Sequence, residues 1–365
     1  MEHVWLAVEA LVKIAVLLGF GMTLAAVLTW QERKQSAAIQ DRIGPNRALI
    51  PYVGWRLWGL PHLMADGIKM IFKEDFTPAN ANRFLFQIAP LIAIMPLILS
   101  LAVIPFGGTV TIAGHSITLQ VATLNAGLLF IFAFGSLSVY ASVLGGFAAD
   151  NKFGLIGSMR TTAQLFSYEV AMGLTLVGLF IVYQTVMLDK IAAQQGGSLW
   201  NWGVVVQPAG FLLFFAAAVA ETKRAPFDLP EGESEIIGYF LEYSGLKFGL
   251  FFIGEFMEVV ISAMLITTMF FGSYHLPWLD WSAAEQWLNT ALGSSWLPGV
   301  IVASLMFLTF VAKVLFFCFL QLQIRWTLPR FRYDQVMNFG WKFLLPLALA
   351  NVVITALVVL IADSI

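Results

Sequence analysis

Thiols are almost absent from this 365-residue chain. The one cysteine, Cys318, excludes an internal disulfide framework and any thiolate set for an iron–sulfur cluster or structural zinc. Histidine is equally sparse. His3, His62, His115 and His275 fall in separate segments, three of them beside loops, which argues against a haem or metal pair. No dinucleotide-binding glycine fingerprint is present. Charge is scarce as well: 12% of residues are Asp, Glu, Lys or Arg, about half the share in an ordinary soluble domain. The net charge of −2 gives no reason to expect a nucleic-acid partner. The first residues include Glu2 and no basic region, so the first apolar run reads as a retained span, not a cleaved signal.

Hydrophobic residues make up 59% of the chain, and water is the wrong solvent for such a composition. About 20 consecutive apolar residues cross a bilayer as a helix, the one open-ended structure that satisfies its own backbone there. Eight stretches qualify: 4–29, 84–104, 124–148, 164–182, 204–220, 248–271, 300–322 and 343–361. The fifth is the weakest, being short and carrying Gln207 and Pro208, which suit the mouth of a helix better than its middle. The expected fold is all-α: one polytopic membrane domain over 1–365, in contact with the lipid bilayer.

Lysine and arginine accumulate in cytoplasmic loops, and here 17 of the 20 basic residues lie in alternate connections. These connections, about 30–83, 149–163, 221–247 and 323–342, are therefore assigned to the cytoplasm and both termini to the periplasm. The opposite loops hold only Lys190, while Lys13 and Lys313 lie within spans. Within the first connection, Leu60, Leu63, Met64, Ile68, Ile71 and Phe72 recur at helical spacing opposite His62, Asp66, Lys69 and Lys73. That pattern predicts an amphipathic surface helix on the cytoplasmic side, either a plain interfacial anchor or a substrate-contacting element. Trp278, Trp281, Trp287 and Trp296 read as interfacial anchors on the other side.

Ionisable residues within spans are costly, at least about 2.5–3.5 kcal/mol each near the bilayer centre, and usually face the bundle interior or water. Glu9 and Lys13, one turn apart, read as an ion pair. Glu169 lies in the fourth span, Glu221 at the inner end of the fifth, Glu255 and Glu258 on one face of the sixth, and Lys313 mid-seventh. Such a set is compatible with a proton or ion path and with packing alone. The segment 221–235, ETKRAPFDLPEGESE, carries Glu231, Glu233 and Glu235 at alternate positions, which on composition alone reads as a solvated loop before a helix start.

That segment also resembles the signature of the quinone-pocket membrane subunit of respiratory complex I. Further motifs follow in the same order: QERK with IQDRIGPNR after the first span, ADGIKMIFKED in the surface helix, GSMRTTAQLFSYE before and into the fourth span, LEYSGLKFGLFFIGEF into the sixth, and RWTLPRFRYDQVM after the seventh. The resemblance covers essentially the whole chain. It departs at Lys223, where asparagine is common in that family, at a longer 48–63 stretch, and at Glu258, an addition.

The resemblance implies a multi-pass subunit of a proton-translocating NADH:quinone oxidoreductase in the bacterial inner membrane. It implies no redox cofactor in this chain, with FMN and iron–sulfur clusters in partner subunits. Peripheral-arm iron–sulfur subunits would dock on the cytoplasmic face, with small membrane subunits and antiporter-like subunits alongside. Quinone, the substrate, would meet Arg42, Asp66, Lys69, Phe72, Asp228, Glu231, Glu233, Glu235 and Arg325. Its chemistry would be felt by Glu169, Glu221, Glu255, Glu258 and Lys313. Rival readings are the homologous subunit of a membrane-bound hydrogenase or F420H2 dehydrogenase, and a stand-alone ion antiporter.

The charge asymmetry generates a topology test. Reporter fusions after Ser364 and near Asp280 should report the periplasm, and one within 334–338 the cytoplasm. A cytoplasmic signal near Asp280 overturns the assignment.

Overall fold

Long apolar helices dominate the computed structural model, which describes residues 2–50, 54–112, 115–229, 232, 236, 238–292 and 296–364. In chain order they are α1 (Glu2–Ile39), the short surface helix α2 (Pro61–Phe72), α3 (Arg83–Leu101), α4 (Gly127–Ala148) and α5 (Lys152–Tyr183). Short α6 (Leu188–Gln194) and α7 (Gly203–Val206) lead to α8 (Pro208–Glu221) and α9 (Gly245–Phe270). The amphipathic α10 (Trp281–Leu292), then α11 (Leu297–Thr327), α12 (Tyr333–Asn338) and α13 (Leu345–Ser364), complete the chain, a π-helical turn over Phe339–Leu344 linking the last two. Seven segments are long and apolar enough to cross a membrane, and Pro208–Glu221 is a shorter apolar helix. The protein is a multi-pass membrane protein.

The helices overrun the apolar stretches read from the sequence. Helix α1 continues ten residues past Thr29 through Arg33 and Lys34, and α5 begins twelve residues before Gln164. Hydropathy marks only the part of a helix that lies in hydrocarbon, whereas its hydrogen-bond ladder runs on until a cap or breaker ends it. Proline sits inside α3 at Pro90 and Pro96, as membrane helices tolerate.

An all-α fold is not quite what forms. Strands β1 (Thr109–Ile112) and β2 (His115–Thr118) pair antiparallel, Thr109 opposite Thr118 and Ile112 opposite His115. The tryptophans also divide: Trp278, Trp287 and Trp296 are exposed, but Trp281, at the start of α10, is buried in the core. Its indole packs as a hydrophobe, a use that a tryptophan count cannot separate from anchoring.

Helix α9 is the centre of the bundle, packed by α1, α3, α8 and α11, while α3, α4, α5, α8 and α13 extend the array sideways. Polar side chains fix its partners. The helix broken between α7 and α8 puts Gln207 inside the protein, where its amide donates to Thr355 Oγ1 at 2.5 Å and its carbonyl accepts from Asn351 Nδ2 at 3.0 Å. The sequence placed Gln207 at a helix mouth. There it stands, capping α8 with Pro208 in the first turn, and it is also buried, pinning the break to α13, because a freed polar group in a membrane must find a protein partner.

Small residues set the approach of α4 to α5. A Cβ on Gly146 would stand 2.5 Å from the Gly154 carbonyl oxygen and 2.6 Å from Ser158 Oγ, whereas one on Gly135 would meet nothing within 4 Å. Gly146→Ala should therefore destabilise the detergent-solubilised protein by about 1–3 kcal/mol through overpacking, read as a lowered Tm, while Gly135→Ala leaves it unchanged. Equal Tm values for the two variants refute the close α4–α5 contact.

Candidate functional site

Helix α8 ends at Glu221, and Lys223, with a left-handed φ of 55°, turns the chain back so that Lys223 and Arg224 are both buried. Gln164 of α5 holds this reversal, its amide donating to the carbonyls of Ala220 at 2.6 Å and Phe227 at 2.8 Å. One carbonyl freed at the helix end and one of the loop that follows it are thereby satisfied.

The buried cations meet carboxylates from α1 and α9. Arg224 reaches Glu32 at 3.1 Å and Glu255 at 3.5 Å, with its guanidinium over the Phe256 ring at 4.1 Å. Arg325 of α11 closes on the other oxygen of Glu32 at 2.7 Å. Lys223 pairs with Glu258 at 2.9 Å. Burial opposes its charge, but Glu258, then Tyr239 and Glu255, more than reverse that effect and hold the ammonium above the ordinary lysine range. Burial also raises the phenols of Tyr239 and Tyr243, so both are neutral hydrogen-bond donors at physiological pH.

Beyond Lys223 the acids lose their cations. Glu169, Glu221 and Glu258 line a cavity of about 50 Å³ together with Ser100, Ser138 and Ser262, space for very few waters. Ser136 donates to Glu169 and Ser138 to Glu258 at 3.5 Å. Glu221 Oε2 is buried and accepts no hydrogen bond from the described residues. Among the described residues, neither Glu169 nor Glu221 forms an ion pair.

At the opposite end of the ion-paired row lies an open cleft of about 600 Å³ between α2, α9 and the preceding segment. Arg33, Lys69, Lys73 and Arg325 make it cationic, with Asp66 as the one acid among its described residues and Met70, Phe240, Phe248 and Phe252 as apolar wall. Asp66 pairs with Arg33 at 2.6 Å. An apolar trough with a few convergent polar groups suits an amphipathic ligand.

The structure thus gathers Asp66, Lys69 and Arg325 at the cleft, and Glu169, Glu221, Glu255 and Glu258 along the interior. Others stand apart. Arg42 is exposed and bonded to Gln40, Phe72 is 82% exposed on α2, and Asp228 is paired with Arg330. Glu231, Glu233 and Glu235 lie outside the described residues. Lys313 is at the far end of α9, donating to the carbonyls of Phe271, Ser273 and His275 at 2.5–2.9 Å. His275 beside it is pushed down to about 4 by burial and then by the Lys313 ammonium. The Glu9–Lys13 pair forms as expected, at 2.5 Å.

Sequence reading missed Glu32, the acid shared by two arginines. Its signal was faint: one carboxylate in QERK, just before basic residues, reads as loop. Two of the three departures from the family pattern, Lys223 and Glu258, prove to be partners. Among the described residues no three His, Cys, Asp or Glu side chains converge as a metal site.

A multi-pass helical membrane protein with a cationic amphipathic cleft joined to a buried row of ion pairs belongs among the charge-coupled membrane subunits. The chain belongs to the NADH dehydrogenase family, which matches residues 12–356. It is 44% identical to an H-type subunit of the NADH-quinone oxidoreductase of Geobacter metallireducens over 96% of each chain. It is 42% identical to the H-type subunit of Flavobacterium psychrophilum over 97% of this chain and 98% of that one. With an H-type subunit of Geobacter sulfurreducens it shares 45% identity over 95% of each.

Glu32→Gln strips a carboxylate from the buried Arg224 and the partly buried Arg325 and should cost about 3–5 kcal/mol of stability. Asp66→Asn breaks a half-exposed pair and should cost no more than about 1 kcal/mol. Thermal unfolding in detergent separates them, and a Glu32→Gln protein as stable as the parent removes Arg224 and Arg325 from dependence on Glu32.

Proposed function

We propose that this chain is the quinone-pocket membrane subunit of a proton-translocating NADH:quinone oxidoreductase, complex I, in a bacterial inner membrane. The observation that carries the reading is the double position of Arg325. It lines the cleft and also pairs with Glu32, so the cleft and the buried row share a charge. The names of the relatives favour this enzyme over a hydrogenase or F420H2 dehydrogenase subunit. A stand-alone antiporter would have no use for a cationic amphipathic cleft.

In this reading the chain is a single membrane domain of eight spans, the fifth being α7 with α8, and both termini face the periplasm. The cleft and α2 then lie on the cytoplasmic side, where iron–sulfur subunits of the peripheral arm dock. Electrons originate at FMN in that arm, and this chain holds no redox group. Quinone enters with its isoprenoid tail on Phe240, Phe248 and Phe252 and its head toward Lys69, Asp66 and Arg325. Asp228, Arg42 and Phe72 are further candidate quinone contacts, as are the acidic residues Glu231, Glu233 and Glu235 on the strength of the sequence motif.

A change of charge at the quinone head alters what Arg325 contributes to Glu32. Arg224 passes the imbalance to Glu255, and Lys223 and Glu258 pass it to Glu221 and Glu169. From there small membrane subunits and antiporter-like subunits receive it. Lys313 stands outside this route, its three donors being spent on carbonyls. The acids titrate as a coupled set, with no single pKa belonging to any one of them.

The test separates the chain's role from that of the peripheral arm. Glu169→Gln, Glu255→Gln and the triple glutamine variant at 231, 233 and 235 should leave NADH oxidation by a water-soluble artificial acceptor intact. Quinone turnover and proton pumping should fall together. Arg325→Ala should in addition raise the apparent KM for quinone. Normal quinone turnover and pumping in all these assembled variants overturns the reading.

A further inference from the structure

Lys223 and Glu258 form an ion pair at the boundary between two kinds of acid. On one side are Glu32 and Glu255, each bound by arginine. On the other are Glu221 and Glu169, which have no basic partner among the described residues. The Lys223 side chain is 4% exposed and that of Glu258 11%, so neither charge can be left to water. The pair is also costly to hold, since Lys223 adopts a left-handed backbone that a residue with a Cβ rarely takes.

We propose that Lys223 is a positioning residue that sets the charge of the cavity: by binding Glu258 it commits its ammonium to that carboxylate and leaves Glu221, beside Glu169, free to gain and lose a proton. The groups facing each member support the division. Around Lys223 stand Glu255 and Glu258 of α9, Tyr239 of the preceding segment, and Ser138 and Ser142 of α4. Around Glu221 stand Glu169 of α5, Glu258 of α9 and the hydroxyls of Ser100, Ser138, Thr222 and Ser262. Among the described residues, one ammonium therefore serves a cavity lined by three acids. It is committed by contact to Glu258, and Glu221 Oε2 is left without a hydrogen-bond partner among those residues. In a pH titration the proton added to Glu221 is supplied by hydronium of bulk solvent and returns there.

The inference builds on the proposed function, in which these acids titrate during turnover, but its test reads protonation directly. In the intact purified complex, infrared difference titration follows the protonated carboxyl band, and Glu221→Gln identifies the band that belongs to Glu221. Lys223→Gln should add a second titrating carboxyl, Glu258, and the double variant Lys223→Gln, Glu258→Gln should remove it. Glu258→Gln alone should move the Glu221 midpoint to lower pH by about one unit or more, because the freed ammonium then favours the Glu221 carboxylate. Lys223→Arg should keep the parent spectrum. A purely structural pair changes assembly without these shifts. If the single variants do not assemble, the double and Lys223→Arg decide: either one departing from the parent set of titrating carboxyls overturns the proposal, as does an unmoved midpoint of the Glu221 band in Glu258→Gln. Normal pumping alongside the expected infrared pattern would instead sink the proposed function and leave this assignment standing.

Discussion

Arg224 is the side chain on which the interior depends. Its planar fork is the one cationic shape that can satisfy two carboxylates from different helices at once, and here it spans Glu32 of α1 and Glu255 of α9 while lying on the Phe256 ring. Remove that bridge and α1 and α9 lose a cation they share in a low-dielectric interior, where the desolvation cost per ion is several kcal/mol. The rest of the arrangement follows. Arg325 completes the coordination of Glu32, the chain reversal at Lys223 brings Arg224 inward, and Gln164 holds the reversal closed.

Compensation is graded along the row, and the gradation separates structural charges from titratable ones. A carboxylate gripped by one or two guanidiniums has a permanent cation beside it, since arginine does not deprotonate in proteins. An acid held only by a serine hydroxyl, as Glu169 is by Ser136, has no such constraint. The row thus runs from fixed charge at the cleft to adjustable charge at the cavity. That direction is what a protein needs if an event at an open site is to be felt by acids that lie beyond its reach.

Much of this was legible in the sequence, and what was not has identifiable causes. Spans announced themselves because hydrocarbon thickness imposes a length on apolar runs, and α2 did so through its two-faced periodicity. The β1–β2 hairpin was invisible, its strands being four residues each with no turn signal beyond one glycine. Glu32 hid in a charged run because hydropathy cannot tell a helix that continues inward from a loop. Lys223 and Glu258 lie 35 residues apart, so their pairing emerges only when α8 and α9 pack. Lys313 read as a member of the proton path because an ionisable residue inside a span is a functional candidate, and its charge needs partners there. Backbone carbonyls, which no composition records, met the need.

Those carbonyls explain why the response falls to side chains rather than to sliding helices. The C-terminal end of a helix carries unsatisfied acceptors and a partial negative charge, and Lys313 places its ammonium among the carbonyls that follow α9. Gln195 adds a second clamp, donating to the carbonyls of Thr268 and Met269 and accepting from the amides of Gly203 and Gly272. Helix α9 is therefore tied down at the end remote from the cleft, and packed by neighbours along the length that bears Glu255 and Glu258. Close-packed interiors resist continuous deformation, so a charge change near α2 cannot be absorbed by translating α9. In the proposed function it is met instead by the charges of Lys223 and of the two acids that face it, Glu255 and Glu258.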